Sequence, residues 1–253
     1  MVERKKIYFA SDFHMGSRAV DNPMAQERFI VQWLDTVVKP DAKALYLLGD
    51  IFDYWWEYKY VVPRGFTRFL GKIGELHDMG IEIHWFIGNH DIWIFDYIPQ
   101  ETGAIIHRSP IILQLGNKRA YVAHGDGLGD NSPAFKILRS MFHNRFLQVL
   151  FAAIHPRWTM AFGLAWSRHS RMKREKANTP YLGEEKEHLI QYSKEYLKSD
   201  PVNYLMYGHR HILLDLMLSR ESRILIIGDW LEYNSYAVWD GEDLRLEIFG
   251  AEV

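Results

Sequence analysis

Short apolar runs alternate with amphipathic stretches in the first part of the chain. The runs that predict buried strands lie at 7–10, 44–48 and 81–87. Between them, apolar residues recur at helical spacing from Pro23 until Pro40, and again over 63–79, where Gly80 follows. Strands that alternate with helices in this way indicate crossover connections and parallel pairing.

The pattern changes twice in the remainder of the chain. Further strands are predicted near 104–107, 111–115, 119–123, 203–207, 213–218, 223–227, 235–239 and 244–248. A helical stretch at about 131–180, followed by a helix over 183–198, interrupts this succession. The late strands follow one another like hairpins, which indicates antiparallel pairing. We therefore expect a single α/β (α+β) domain over 1–253, with a helical insert at about 131–180.

Polar residues follow directly after five of the predicted strands. They are Asp12 and His14; Asp50 and Asp53; Asn89, His90 and Asp91; His124; and His209 and His211. The carboxyl ends of neighbouring parallel strands meet at one edge of a sheet, where ligands bind. Each motif alone is also typical of a turn or a helix cap. All five together, each behind a strand, predict one shared site.

The types of these residues point to metal chemistry. The chain contains no cysteine, so thiolate sites are excluded and a metal must be held by His, Asp, Asn or Glu. Mn²⁺, Fe²⁺ or Zn²⁺ suits such a mixed oxygen and imidazole donor set. Two such ions about 3.5–4 Å apart need a bridging carboxylate, for which Asp50 is the candidate, and together they activate a water for attack on phosphorus.

The five motifs resemble those of the calcineurin-like metallophosphoesterases. The resemblance implies two mixed sheets packed as a sandwich and flanked by helices. It implies one ion held by Asp12, His14 and His211, another held by Asn89, His124 and His209, and Asp50 bridging them. It also implies that His90 contacts the scissile phosphate or the leaving oxygen and that Asp53 orients His90 through a hydrogen bond. Asp91 and Asp126 are expected to support the ligands by fixing an imidazole tautomer.

The insert is basic and aromatic. Residues 134–176 hold nine Lys or Arg and one acidic residue, Glu175. Aromatic and aliphatic residues are interleaved with these charges, but no apolar run approaches the ~18 residues of a membrane span. The aromatic residues could pack a core of the insert itself, with the basic residues solvating its outer face. Alternatively, the insert is a lid over an amphiphilic substrate.

Within the superfamily, the chain is similar to the UDP-2,3-diacylglucosamine diphosphatases of lipid A synthesis. The similar segments are 11–14, 48–55 and 124–128, together with the insert. This implies hydrolysis to UMP and 2,3-diacylglucosamine 1-phosphate at the cytoplasmic face of the inner membrane, with peripheral contact to its lipid and no nucleic-acid partner. The expected headgroup-binding residues are Arg168, Ser170, Arg171, Lys173 and Asn178. The best-known members carry Arg at the position of His90 and Glu at the position of Asp53. At both positions this chain has the residue that is general among phosphoesterases.

Three hypotheses about function remain open at this point. The leading one is a hydrolase of the UDP-diacylglucosamine pyrophosphate bond that holds two divalent ions, with Mn²⁺ favoured over Fe²⁺ or Zn²⁺. The second is a phosphodiesterase or phosphatase for a soluble nucleotide or other phosphoester. The third is a phosphoesterase-fold scaffold without catalysis, against which the complete ligand set argues. The first six residues lead straight into a strand without an apolar signal region, so we expect a cytoplasmic protein.

Overall fold

The computed structural model describes residues 4–129, 132–177 and 181–250, without the side chains of 134, 135 and 168–177. Its strands are β1 Lys6–Ala10, β2 Ala42–Leu47, β3 Glu82–Phe86, β4 Ile105–His107, β5 Ile111–Leu115, β6 Lys118–Val122, β7 Tyr204–Tyr207, β8 Leu213–Met217, β9 Arg223–Ile227, β10 Ser235–Trp239 and β11 Leu244–Ile248. Its α-helices are α1 Pro23–Trp33, α2 Lys39–Asp41, α3 Thr67–Asp78, α4 Tyr97–Thr102, α5 Pro133–His143, α6 Arg145–Ala152, α7 Pro156–Ala177 and α8 His188–Ser199.

The strands form two mixed sheets. The larger sheet has the order β11-β10-β1-β2-β3-β4, and the smaller has the order β5-β6-β7-β9-β8. Strands β1 to β4 are parallel, as are β6, β7 and β9, while the outer pairs β10–β11, β5–β6 and β8–β9 are antiparallel. The expected pair of mixed sheets is confirmed.

Three apolar layers follow from the alternation of side chains along the strands. Phe9 and Tyr46 of the larger sheet, with Leu48 directly after β2, meet Met206 and Leu225 of the smaller sheet and make the core of a sandwich. The opposite face of the larger sheet packs on α1, α3 and α4, and the opposite face of the smaller sheet packs on α8. The sandwich flanked by helices therefore fixes where the strand ends lie.

The first helix passes the proline that was expected to end it. A π-helical stretch, Leu34–Val38, joins α1 to the short α2, which contains Pro40. In this stretch the Lys39 amide donates to the carbonyl of Leu34, five residues back. The prediction that Pro40 stops the helix was therefore wrong by one residue, because the wider turn accommodates a residue that has no amide donor.

Helix α3 begins at Thr67, four residues later than predicted. Gly65 and Phe66 have φ values of 105° and 61°, in the left-handed region where a right-handed helix cannot continue. The carboxylate of Glu27 accepts the amides of Arg68 and Phe69 at 2.9 and 3.2 Å and so satisfies the first turn. A cap supplied from α1 sets this boundary, and local periodicity does not reveal it.

Helices α5 to α7 pack on the loops after β2 and β3 through aromatic side chains. The rings of Trp56 and Phe151 lie 4.5 Å apart, and those of Trp93 and Phe142 lie 5.2 Å apart. The indole N–H of Trp93 also donates to the carbonyl of Phe142 at 3.2 Å. None of the helices in the described ranges combines the length and the apolar character that a membrane crossing requires.

Candidate metal centre

The loops after β1 and β2 lie side by side because their backbones bond to each other. The Asp12 amide donates to the carbonyl of Gly49 at 3.1 Å, and the His14 amide donates to that of Asp50 at 3.0 Å. From the smaller sheet, the His209 amide donates to Oδ2 of Asp12 at 2.8 Å. These bonds bring the predicted residues of both sheets to one point between the strand ends.

The predicted ligands converge there. Three clusters offer ligand atoms within 4.8 Å of one another: Asp12, His14 and His211; His14, Asp50 and His90; and Asp50, His124 and His209. Asp50 belongs to two of them and is fully buried. Asn89 joins this group through its side-chain oxygen, which lies 3.4 Å from Nε2 of His124. The structure thus brings together all seven residues predicted as ligands.

Five of these residues have a backbone conformation that is unusual for side chains with a Cβ. Asp12, His14, Asp50, His209 and His211 have φ values between 45° and 65°. Each such residue costs about 1–3 kcal/mol and persists only where the surrounding structure enforces it. This strain is concentrated at the point where the strand-end loops meet, as is typical of functional sites.

Glycine is required where these loops touch. A Cβ at Gly88 would come within 3.0 Å of the Asp50 backbone and carboxylate, and one at Gly208 would do the same to Ser11 and Asp12. Real Cβ atoms essentially never approach so closely. The glycines that precede Asn89 and His209 in the sequence motifs therefore serve close approach of the backbone.

Two buried carboxylate oxygens fit the requirements of metal ligands. Among the described residues, no donor makes a hydrogen bond to Oδ1 of Asp12 or to Oδ2 of Asp50. Instead, Nε2 of His211 lies 3.3 Å from the first oxygen, and Nε2 of His124 lies 3.4 Å from the second. Acceptor atoms that face one another across such gaps, deep in the protein, fit a divalent cation between them.

Both carboxylates are held in their ionised form. Burial raises the pKa of Asp50, but the imidazoles of His124 and His90 outweigh burial and hold that pKa well below its ordinary value. The pKa of Asp12 is also lowered, because His211 and His14 outweigh the opposing effect of burial. The site therefore presents negative charge in a buried position.

Hydrogen bonds behind the imidazoles fix which nitrogen faces the centre. Nδ1 of His124 donates to the carbonyl of Leu48 at 2.7 Å, and Nδ1 of His211 donates to Oδ2 of Asp229 at 2.9 Å. In both rings this places Nε2 towards the carboxylates, the arrangement expected of metal ligands. Asp229 was not predicted, although it follows β9 in the same Gly-Asp pattern that marks Asp50 behind β2.

Asp91 and Asp126, the predicted supporting residues, lie beside the ligands. The Asp91 carboxylate accepts the amides of Gly88 and Ile51 at 2.7 and 2.9 Å, and so ties the loop after β3 to the loop after β2. These partners are backbone amides, whereas the expected partner of Asp91 was an imidazole. Burial lowers the pKa of His124, but the Asp50 carboxylate outweighs burial and raises that pKa to about 10, with a smaller contribution from the charge of Asp126.

His90 and Asp53 are neighbours, as the resemblance implied. Nδ1 of His90 donates to the backbone carbonyl of Asp53 at 2.9 Å. The Asp53 carboxylate accepts a hydrogen bond of 2.8 Å from Oγ of Ser167 and lies 3.4 Å from Nδ1 of His14. Ser167 stands on α7 and was not predicted, because no local pattern marks it.

The predicted headgroup-binding residues lie outside the described part of the structure. Asn178 is not described at all, and α7 includes the other four without their side chains: Arg168, Ser170, Arg171 and Lys173. Their expected role therefore stays a prediction.

An apolar cavity of about 380 Å³ adjoins the metal centre. Its apolar lining includes Trp56, Trp93, Phe142, Leu150, Phe151 and Trp166. Polar lining is supplied by Asp53, Asn89, His90 and Ser167. The volume is that of a small-molecule site. The aromatic residues of the insert thus face a cavity beside the predicted ligands, and Trp166 is 51% exposed although it lies on the inner wall.

A two-sheet sandwich with clustered Asp, Asn and His side chains at its strand ends is typical of a metal-dependent phosphoesterase. Residues 5–213 match the family model of the calcineurin-like phosphoesterases, and the chain belongs to this family. The family implies divalent metal ions, which the ligand clusters fit.

Comparison with curated proteins gives more specific similarities. The chain is 46% identical to a UDP-2,3-diacylglucosamine hydrolase of Porphyromonas gingivalis, over 96% of this chain and 97% of that protein. It is 24% identical to proteins of the same name from Neisseria meningitidis, covering 92% of each chain, and from Haemophilus influenzae, covering 89% of this chain and 91% of that one. The similarity therefore includes the insert as well as the phosphoesterase core.

Proposed function

We propose that this protein hydrolyses the pyrophosphate bond of UDP-2,3-diacylglucosamine and releases UMP and 2,3-diacylglucosamine 1-phosphate. The observation that carries the proposal is the apolar cavity beside Asn89 and His90. A substrate with two acyl chains and a charged pyrophosphate requires an apolar cavity and a cationic centre next to each other. The curated relatives named for this substrate support the same conclusion.

We assign two divalent ions to the centre. Asp12, His14 and His211 would hold one ion, Asn89, His124 and His209 would hold the other, and Asp50 would bridge them. When bound, the ions supply Lewis acidity that activates a water and neutralises charge on the phosphoryl oxygens. The mixture of carboxylate, amide and imidazole donors favours Mn²⁺, with Fe²⁺ or Zn²⁺ as alternatives.

The remaining polar residues orient the substrate. Because Nδ1 of His90 donates to the carbonyl of Asp53, Nε2 is the ring nitrogen that remains to face the substrate. In the proposed role, His90 contacts the phosphate that is cleaved or the oxygen that leaves. Arg168, Ser170, Arg171, Lys173 and Asn178 are proposed to bind the headgroup, since cationic side chains suit a pyrophosphate.

We further propose that the insert, at about 131–180 of this single domain, rests on the cytoplasmic face of the inner membrane as a lid. Phe146, Val149 and Trp158 are each more than 60% exposed, at 70%, 67% and 66%. Arg145 and Arg157 are exposed beside them in the chain. An apolar surface with adjacent cations binds anionic lipid. We expect the protein to float with anionic vesicles at low salt and not to float with neutral vesicles.

The identity of the products tests the proposed reaction. Mn²⁺-loaded protein is incubated with UDP-2,3-diacylglucosamine in ¹⁸O-labelled water, and both products are weighed by mass spectrometry. We propose that the water attacks the uridyl-side phosphorus, as the resemblance to the diphosphatases implies, and this attack predicts UMP that carries the label. Label in the lipid phosphate, or no UMP at all, would contradict the proposal.

A further inference from the structure

Ser167 of α7 lies between the two residues that are expected to act beside the metal ions. Its hydroxyl is 2.8 Å from Oδ2 of Asp53 and 3.3 Å from Nδ1 of His90. The side chain is 2% exposed, so water does not compete for these bonds. A residue of the insert thus contacts both Asp53 and His90 directly.

The chemistry of the three groups sets the direction of these hydrogen bonds. The Asp53 carbonyl can only accept, so Nδ1 of His90 carries a proton. The ionised Asp53 carboxylate also accepts only, so the Ser167 hydroxyl donates to it and offers its oxygen to the His90 N–H. Ser167 therefore stabilises one tautomer and one ring orientation of His90.

A flat face of α7 brings Ser167 to this position. Thr159, Gly163 and Ser167 are spaced by four residues, which places them on one side of the helix. All three are buried. The hydroxyl of Thr159 bonds to that of Tyr58. The ring of Tyr54 packs so closely on Gly163 that any Cβ there would come within 3.0 Å of it.

We propose that Ser167 is a positioning residue. Its hydroxyl holds the His90 ring in place beside Asp53, and it can do so only when α7 is docked on the loop after β2. The insert then has a role in the chemical step besides binding the acyl chains. This inference rests on the proposed function for its kinetic consequence, whereas its structural consequence for His90 is independent of the substrate.

Three variants test the proposal. Ser167→Ala removes the hydroxyl. Gly163→Ala pushes the helix away from Tyr54, although alanine is the better helix former and would otherwise be neutral or stabilising. Ala165→Ser is the matched control, since this exposed residue lies on the opposite side of α7 and does not line the cavity.

Steady-state kinetics of UMP release give the first measurement. For Ser167→Ala we expect kcat to fall about 10-fold, as is usual when a partner behind an active-site group is removed, with KM within about twofold of wild type. Gly163→Ala should lower kcat in the same direction, and Ala165→Ser should not. An unchanged kcat for Ser167→Ala, or a rise in KM alone, would overturn the proposal.

The ¹⁵N chemical shifts of the His90 ring give the second measurement, on protein labelled with ¹⁵N-histidine and loaded with diamagnetic Zn²⁺. Ser167→Ala and Gly163→Ala should both shift the Nδ1 resonance, while Ala165→Ser leaves it in place. Coincident His90 resonances in all four proteins would overturn the proposal. If even the wild type releases no UMP, the proposed function fails, and the spectra still decide the role of Ser167.

Discussion

The strand-end loops, 11–14, 49–53, 88–91, 124–126 and 208–211, differ from the helices of the insert in how they are held. The loops are buried or half-buried, bonded to one another through backbone amides, and strained at five residues. The insert exposes large apolar side chains and reaches the loops through few polar contacts, such as that of Ser167. We infer from the difference that the rigid loops hold the reacting groups, while the insert mainly recognises an apolar substrate and supplies Ser167 to position His90.

The largest effect is expected from the centre of the loops. Asp50→Ala removes a fully buried carboxylate that belongs to two of the three ligand clusters, and also the acceptor of the His90 amide at 2.8 Å. We expect UMP release to fall to background and the bound metal, measured by atomic emission, to fall with it. Asp35→Ala, at an exposed carboxylate of the first helical segment, is the control and should keep both. Full activity in Asp50→Ala would mean that the site lies elsewhere.

Because the strand-end loops pack closely, a side chain added between them should lower the free energy of unfolding. Gly88→Ala places a Cβ against the Asp50 backbone and should lower the free energy of unfolding by about 2–3 kcal/mol. Gly71→Ala lies inside α3 with open space around it and should raise that free energy by about 0.5–1 kcal/mol. Chemical denaturation measures both. Equal effects at the two glycines would show that the loops are not tightly packed.

A buried ion pair ties the segment after the insert to the loops. Arg210 donates to both oxygens of Glu187, at 2.8 and 2.6 Å. Burial raises the pKa of Glu187, but the bonds from Arg210 and from the Leu182 amide outweigh it, so the pKa is lowered. A lowered pKa in the folded state stabilises the protein above the unfolded value of about 4.3, and this is lost as the pH falls through the folded pKa.

Glu187→Gln should therefore lower the free energy of unfolding at pH 7 by about 2 kcal/mol, and the difference from wild type should shrink as the pH falls below about 4.5. Urea titrations at several pH values measure it. A difference that stays constant down to about pH 3, well below the unfolded pKa, would show that the charge of Glu187 contributes nothing to stability.

The smallest effect is expected from the wall of the cavity. Trp166→Ala removes apolar surface that would contact an acyl chain, so KM for the diacylated substrate should rise about 10-fold. Hydrolysis of bis(p-nitrophenyl) phosphate, which has no acyl chain, should change by less than about twofold. Ile137→Ala, exposed on α5 and not part of the wall, is the control. Equal changes for both substrates would argue against an acyl site.

The sequence could predict the loops far better than the insert's contacts, for a physical reason. A buried strand that ends in Gly-Asp or Gly-Asn-His is a local signal, and the convergence of parallel strand ends turns it into a site. Asp229 carries the same Gly-Asp signal after β9, but it was not predicted, since Gly-Asp after a strand is also typical of an ordinary turn. Ser167 carries none, because its role arises only when α7 docks on a loop more than a hundred residues away.

The most direct test of this account is the ratio of kcat/KM for UMP release from UDP-2,3-diacylglucosamine and from its deacylated form. The loops alone would treat both substrates equally, since the pyrophosphate is the same. With the apolar cavity taking part, we expect the diacylated substrate to be preferred by at least about 100-fold, as two buried chains should provide. Equal values for the two substrates, or no turnover of the diacylated one, would contradict the account.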